Sequence, residues 1–150
     1  MVRLEVIEVA KPDASAVDAL AQYAAVSDAG QRRLLEDTLA RAFDIVQKSA
    51  DVALLAGRWR VQAEEYPGFI KVYMGGEVEN VTDGYGFVIP FNQRGNKVYI
   101  GTNGFVEVTF TTTVNGANYD RLLPVVLRYA TALYDGKDSR ELNAILKECL

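Results

Sequence analysis

Histidine carries much of the acid–base and metal chemistry of proteins, and this 150-residue sequence contains none. Its absence removes the commonest general base, the commonest zinc ligand and every Ser–His or Cys–His nucleophile pair. The one cysteine, Cys149, has no base nearby in sequence and reads as a small apolar residue on a terminal helix. One cysteine without histidine leaves structural zinc no ligand set. Gly84-Tyr85-Gly86 could open a dinucleotide fingerprint, but no third glycine and no helical pattern follow it, so it marks a strand boundary. Neither Gly75-Gly76 nor Gly101 to Gly104 carries the Lys-Ser/Thr ending of a phosphate loop. Glu64-Glu65 and Glu77 with Glu79 are paired carboxylates; the second pair would share a strand face and reads as solvated rather than as an acid/base couple. No catalytic, cofactor-binding or metal-ligating residue is therefore assigned, and the expectation is a protein that is not an enzyme and needs no cofactor.

Binding chemistry is also thin. Lys and Arg number 16 against 20 Asp and Glu, a net charge of -4. A dedicated nucleic-acid binder neutralises phosphates with a basic face, so this balance speaks against one, although it suits a surface past which DNA slides. Eight tyrosines and one tryptophan are plentiful for the length. A stacking platform interleaves aromatics with Lys or Arg. Only Arg58-Trp59-Arg60 shows that pattern, and alternation along a half-buried strand accounts for it equally well. The lone cysteine points to a reducing compartment. Met1 to Glu5 lacks an apolar signal core, and no stretch approaches the roughly 20 apolar residues of a membrane span. The expectation is one domain over 1–150, able to bury roughly 70% of its unfolded surface without staples.

The elements that must position any functional surface fall into three blocks: helical over 14–56, β over 58–114 and helical over 118–150. Val2, Leu4 and Val6 alternate as a short strand, with Ile7 breaking the pattern. Val17, Leu20, Ala21 and Ala24 line one face of a short helix, with Ser15 and Asp18 as a loose capping box. Ser27-Asp28 then caps the strongest element, in which Leu35, Leu39, Ala42, Phe43, Val46 and Ala50 form one stripe. Asp37–Arg41 and Asp44–Lys48 are i,i+4 pairs on the other face. From Arg58 the period drops to two. Strands are predicted at Arg58 to Glu64, Phe69 to Tyr73, Glu77 to Val81, Gly86 to Phe91, Lys97 to Ile100 and Phe105 to Thr113. Short turns, among them Gly95-Asn96, make them hairpins. The fold class is thus α+β, a helical bundle with an inserted antiparallel β-region of hairpins.

In the last block Leu123, Val126, Leu127, Ala130 and Tyr134 make a stripe, and Val125, Tyr129 and Leu133 widen it. A helix apolar on so much of its circumference is deeply buried or shared with a neighbouring subunit, which makes Val125, Tyr129 and Leu133 candidates for a subunit interface. Pro124 belongs in its first turn, where the missing N–H costs least, and Gly136 ends it. A short amphipathic tail follows, with Leu142, Ile145, Leu146 and Leu150 in one stripe. That stripe either covers the chain's own core or docks in a groove on a partner.

The order of these elements resembles that of the head–tail connector, or adaptor, proteins of long-tailed bacteriophages and related particles. The likeness rests on the long helix with Leu35, Leu39, Ala42, Phe43 and Val46, on Phe105-Val106-Glu107-Val108-Thr109-Phe110 closing the strand region, and on Leu123-Pro124-Val125-Val126-Leu127-Arg128-Tyr129-Ala130-Thr131-Ala132-Leu133-Tyr134. It spans Ala14 to about Ser139 and consists of apolar spacing rather than invariant chemistry. Two features depart from it: Asp135-Gly136-Lys137 stands where family members often carry a Glu- and Arg-rich run, and the β-region is large.

The resemblance implies a structural virion protein, made in the host cytoplasm and located in the neck between head and tail. It implies a homo-oligomeric ring of about twelve copies, closed by a heterologous interface. The ring would bind the portal protein on one side and a head-closure or tail component on the other. DNA would pass through its lumen without specific binding, and no membrane is involved. By the same resemblance the tail stripe would dock on the portal. The competing reading is a small-molecule-binding α+β module with an apolar pocket between sheet and C-terminal helix.

Overall fold

Alternation of apolar residues along 57–63 and 106–112 puts Trp59, Val61, Ala63, Val106, Val108 and Phe110 at the centre of a core. The computed structural model describes all residues, Met1–Leu150, and has the expected α+β composition. The chain forms two compact units: Met1–Ala10 with Asp51–Thr113, and Lys11–Ala50 with Val114–Leu150.

The first unit is built from antiparallel strands. β1 (Val2–Val9), β2 (Gly57–Ala63), β4 (Glu77–Asp83) and β7 (Val106–Thr112) form one sheet in the order β1-β2-β7-β4. β3 (Ile70–Lys71), β5 (Phe91–Arg94) and β6 (Lys97–Ile100) form a second, in the order β3-β6-β5. β1 is longer than its sequence pattern implied. Its register on β2 shifts between Val6 and Glu8, so Ile7 is absorbed as a bulge instead of ending the strand. Ion pairs cover the polar face of this sheet: Arg60 reaches Glu5 at 3.0 Å and Glu107 at 3.8 Å, and Arg58 reaches Glu79 at 3.0 Å. Hydrogen bonds from Arg3 and then Arg60 hold the Glu5 carboxyl below its ordinary range.

The strand expected over Gly86 to Phe91 is displaced. The Asp83 carboxylate accepts the N–H groups of Tyr85 and Phe87, folding 84–87 into a loop, and only a bridge at Val88 pairs with Thr82. Pro90 has no N–H to give a ladder, and β5 starts at the next residue. The β5–β6 turn has Gly95 at φ 59° in its first central position, as a II′ hairpin requires. At Tyr73 to Gly76, Met74 and Gly75 both take positive φ, 56° and 65°, and Gly76 N–H closes the turn on Tyr73 O at 3.0 Å. The Asp51 carboxylate accepts the Met74 N–H at 2.6 Å and holds this otherwise disfavoured methionine conformation.

The second unit is helical: α1 (Ala14–Tyr23), α2 (Arg32–Ala50), α3 (Gly116–Tyr134) and α4 (Ser139–Cys149), with a one-turn 3-10 helix, Ala29–Gln31, before α2. The expected stripe of α2 is buried at Leu35, Leu39, Ala42, Phe43 and Val46, and it packs on α3. Asp44–Lys48 is made at 2.9 Å on the outer face, where Arg32 reaches Asp18 at 2.7 Å. Pro124 is not in the first turn of its helix. Asn115 caps α3 by accepting the Asn118 N–H, so the helix begins at Gly116 and Pro124 lies inside it, leaving the Asp120 carbonyl without its usual partner. The buried face of α3 differs from the expected stripe: Leu122, Val126, Tyr129 and Ala130 are buried, while Leu123, Leu127 and Tyr134 are only half-buried. Gly136 ends α3 in a Schellman arrangement, with Lys137 N–H on Ala132 O and Gly136 N–H on Leu133 O.

The cap of α1 is Asp13 rather than Ser15, since its carboxylate accepts the Ala16 N–H at 2.8 Å and the Ser15 hydroxyl at 2.8 Å. Those two bonds, the Ala16 N–H foremost, lower its pKa below the ordinary 3.8. A carboxyl depressed in the folded state contributes stability that is present above its unfolded pKa and is lost as pH falls through the folded value. Asp13→Ala should therefore cost about 1 kcal/mol at neutral pH. The gap between the two proteins should close as a urea-midpoint series is taken below pH 3.8. A gap that stays constant with pH would show that the carboxylate charge does no capping.

Candidate functional site

The residues weighed for chemistry are dispersed by the fold. Glu79 sits where the β4 register shifts and gives its carboxylate to Arg58 at 3.0 Å, which makes it part of an ion pair and not half of an acid/base couple with Glu77. Trp59 is 1% exposed, and its indole N–H donates to Thr112 Oγ1 at 3.2 Å. It is a core residue, so the Arg58-Trp59-Arg60 run offers no stacking platform. Cys149 lies against Arg128, whose guanidinium is 3.4 Å from its Sγ. No group of three or more Cys, Asp or Glu converges as a metal site would require.

The apolar tail stripe lands on α4. That helix starts at Asp138, which accepts the Glu141 N–H at 3.0 Å, and it lies along α3 within the helical unit. Arg128 of α3 donates to Glu148 of α4 at 2.8 Å, which raises the guanidinium pKa. Leu142, Ile145 and Leu146 are half-buried, Leu150 is 47% exposed, and no residue of α4 is fully buried. The stripe thus covers part of its own unit and leaves an apolar margin uncovered. Of the three residues expected at a subunit interface, Val125 and Leu133 are half-buried. Tyr129 is only 5% exposed.

A second exposed apolar surface was not legible in the sequence. Register places Val2, Ala63, Val106 and Asp83 in the last row of the β1-β2-β7-β4 sheet. Beyond that row the chain displays Met1, Phe105 and the loop after β4, where Tyr85, Phe87 and Val88 are 88%, 69% and 71% exposed. The loop is fixed by the Asp83 bonds and by Ile89 N–H on Val81 O at 2.9 Å. A built display of aromatic side chains at one end of a sheet is the kind of surface that another protein covers. A strand over Gly86 to Phe91, as the sequence pattern suggests, would alternate Phe87 and Val88 between two faces and so gives no sign of this surface.

No protein-family model matches the chain, and no curated protein matches it in sequence. Solved structures do match it in shape. The chain is similar to one from the neck of an empty gene transfer agent (GTA) particle computed with C6 symmetry, with a TM-score of 0.63 and 17% identity over 97% of this chain and 94% of that one. It is similar also to a chain of the virion of the native GTA particle, with a TM-score of 0.62 and 16% identity over 97% and 94% of the two chains. At such identities the shared property is the fold, along nearly the whole of both chains.

Proposed function

We propose that this protein is a structural component of the neck of a phage-like virion, a ring-forming connector that joins the portal to a tail or head-closure component around the DNA channel. The observation that carries the reading is the fold, which is shared end to end with chains of GTA neck and virion structures. The resemblance in sequence layout points to the same class of protein. A ring of identical subunits needs two different patches on each copy, complementary to one another. The aromatic end of the sheet and the uncovered margin of α3 and α4, with Val125, Leu133 and Leu150, supply apolar surface of that kind. On this reading the protein is not an enzyme and requires no cofactor.

The rival reading, a small-molecule module, calls for a largely apolar pocket. A hollow of about 480 Å³ lies at the far end of the β1-β2-β7-β4 sheet, lined by Val9, Ala10, Ala56 and Gly57 together with Glu8, Thr111, Thr112 and the Arg58–Glu79 ion pair. None of its lining residues belongs to α3 or α4, so it is not the pocket beside the C-terminal helix that this reading requires.

Native mass spectrometry of the purified chain, alone and with a portal ring, tests the proposal. The expected species is a closed ring of about twelve copies, formed alone or on the portal. A chain that stays monomeric or dimeric under both conditions would sink the connector reading.

A further inference from the structure

The second sheet gathers charge in a way the overall balance conceals. Its strands come from segments 66–76 and 84–106, which hold Lys71, Arg94 and Lys97 and not one Asp or Glu, in a chain of net charge -4. Register then aligns the three cations. Lys71 pairs with Lys97 across β3–β6, and Arg94 pairs with Lys97 across β5–β6, so the three side chains stand in one row on one face. The opposite face carries the buried Ile70 and Val98. Alternation along each strand adds Phe69, Tyr73, Tyr99 and Asn92 to the cationic face.

The cationic heads rest on the rings beside them. Lys97 Nζ is 4.7 Å from the Phe69 centroid, Lys71 Nζ 4.8 Å from that of Tyr73, and the Arg94 guanidinium carbon 5.8 Å from that of Tyr99. Like charges directly opposite one another across strands are unfavourable. On the other sheet the problem does not arise, since Arg3, Arg58 and Arg60 all have glutamate partners. Here only Lys71 has a carboxylate, Asp51 at 3.5 Å, while Arg94 and Lys97 form no ion pair. An anion laid along the row would relieve the repulsion within it.

We infer that this face of the β3-β6-β5 sheet binds the phosphodiester backbone of nucleic acid, without regard to sequence. Strands lie about 4.8 Å apart, so the row spans about 10 Å. Over that length of helix axis one strand of a duplex carries about three phosphate charges, as many as the row has cations. Phe69 and Tyr99, exposed beside the row two residues along from Lys71 and Lys97, suit a backbone bordered by bases better than they suit an acidic protein surface. The inference goes beyond the neck reading and does not depend on ring formation, because the face is complete within one chain.

Anisotropy of a short labelled DNA duplex, and of a single strand of equal length, titrated with the full chain at low salt, tests it. Binding should weaken with salt along a log–log slope of about -3 for the duplex and about -2 for the single strand. The variant Lys71→Gln/Arg94→Gln/Lys97→Gln should bind at least about tenfold more weakly and lose most of that slope. Removing three exposed cations elsewhere, with Arg33→Gln/Arg41→Gln/Lys147→Gln, should leave affinity within about twofold, and Lys71→Arg/Lys97→Arg should retain it. Extra affinity for the single strand that disappears in Tyr99→Leu would add base stacking to the backbone contact. A wild-type chain that does not bind, a neutralised variant that binds as well as wild type, or competition by polyglutamate equal to that by DNA would each overturn the inference.

Discussion

Replacing Phe43 by alanine should lower stability by about 3–5 kcal/mol in a denaturant titration. Phe43 is completely buried on the face of α2 that also carries Leu39, Ala42 and Val46. Its ring stacks on Tyr119 of α3, with centroids 5.9 Å apart and planes at 17°. The loss has two parts. Removing the ring takes away a large apolar transfer term and leaves a cavity between two long helices that cannot both collapse onto it. It also removes the aromatic pair, worth about 0.5–1.5 kcal/mol beyond area. The contact is local evidence for the early start of α3, because Tyr119 precedes Pro124 and would lie outside a helix begun at the proline. Burial, then the nearby Asp13 and Asp120, pushes the Tyr119 hydroxyl up in pKa, in keeping with a ring withdrawn from water. Leu34→Ala, at a position exposed on the same helix, should stay within about 0.5 kcal/mol. A loss below about 1 kcal/mol for Phe43→Ala would mean that the α2 face does not pack as described.

Deleting Ser139 to Leu150 should cost about 2–4 kcal/mol, reckoned from three half-buried aliphatic side chains at roughly half their full transfer value. Leu142, Ile145 and Leu146 supply that burial, and the exposed Arg128–Glu148 pair adds little. α4 has only 11 residues, too few to hold a helix alone, so its order depends on α3. A thermal melt of the truncated chain reads the effect directly. An unchanged melting temperature would refute the packing account. If attachment to portal-bearing heads were lost at the same time, the stripe would belong to a partner instead. Unchanged melting with normal attachment would leave α4 without either role.

Much of this architecture is legible in the sequence because it depends on short-range periodicity. The α2 stripe from Leu35 to Val46 and the alternation along Arg58 to Ala63 each identify an element and its buried face, and both appear as expected. Boundaries are less legible where two signals compete. Pro124 is a strong local marker for a helix start, yet Asn115, well before it, carries an acceptor for the otherwise unpaired N–H of Asn118, and α3 begins there. The turns ahead of the proline are stabilised by a contact that spacing within α3 does not reveal, the stacking of Tyr119 on Phe43. Ser15 and Asp13 compete in the same way for the start of α1, and the carboxylate, the stronger acceptor, takes the cap.

Of the hairpins expected in the middle only β5–β6 forms, whereas the sequence by itself determined the fold class, the buried stripe of α2, the strand character of the middle and the absence of histidine. Each of these follows from residue type or from spacing within one segment, where a single period of 2 or 3.6 is enough to decide which side chains share a face. Tertiary structure alone decided what the surfaces present. It buried Trp59, and with it the one run that looked like a stacking platform. It turned Tyr85 and Phe87 outward through the Asp83 carboxylate, and it aligned Lys71, Arg94 and Lys97 in one row. The physical reason is that a surface is assembled across strands, and cross-strand neighbours are fixed by register rather than by order along the chain. Lys71 and Lys97 stand 26 positions apart in sequence and directly opposite each other in the sheet.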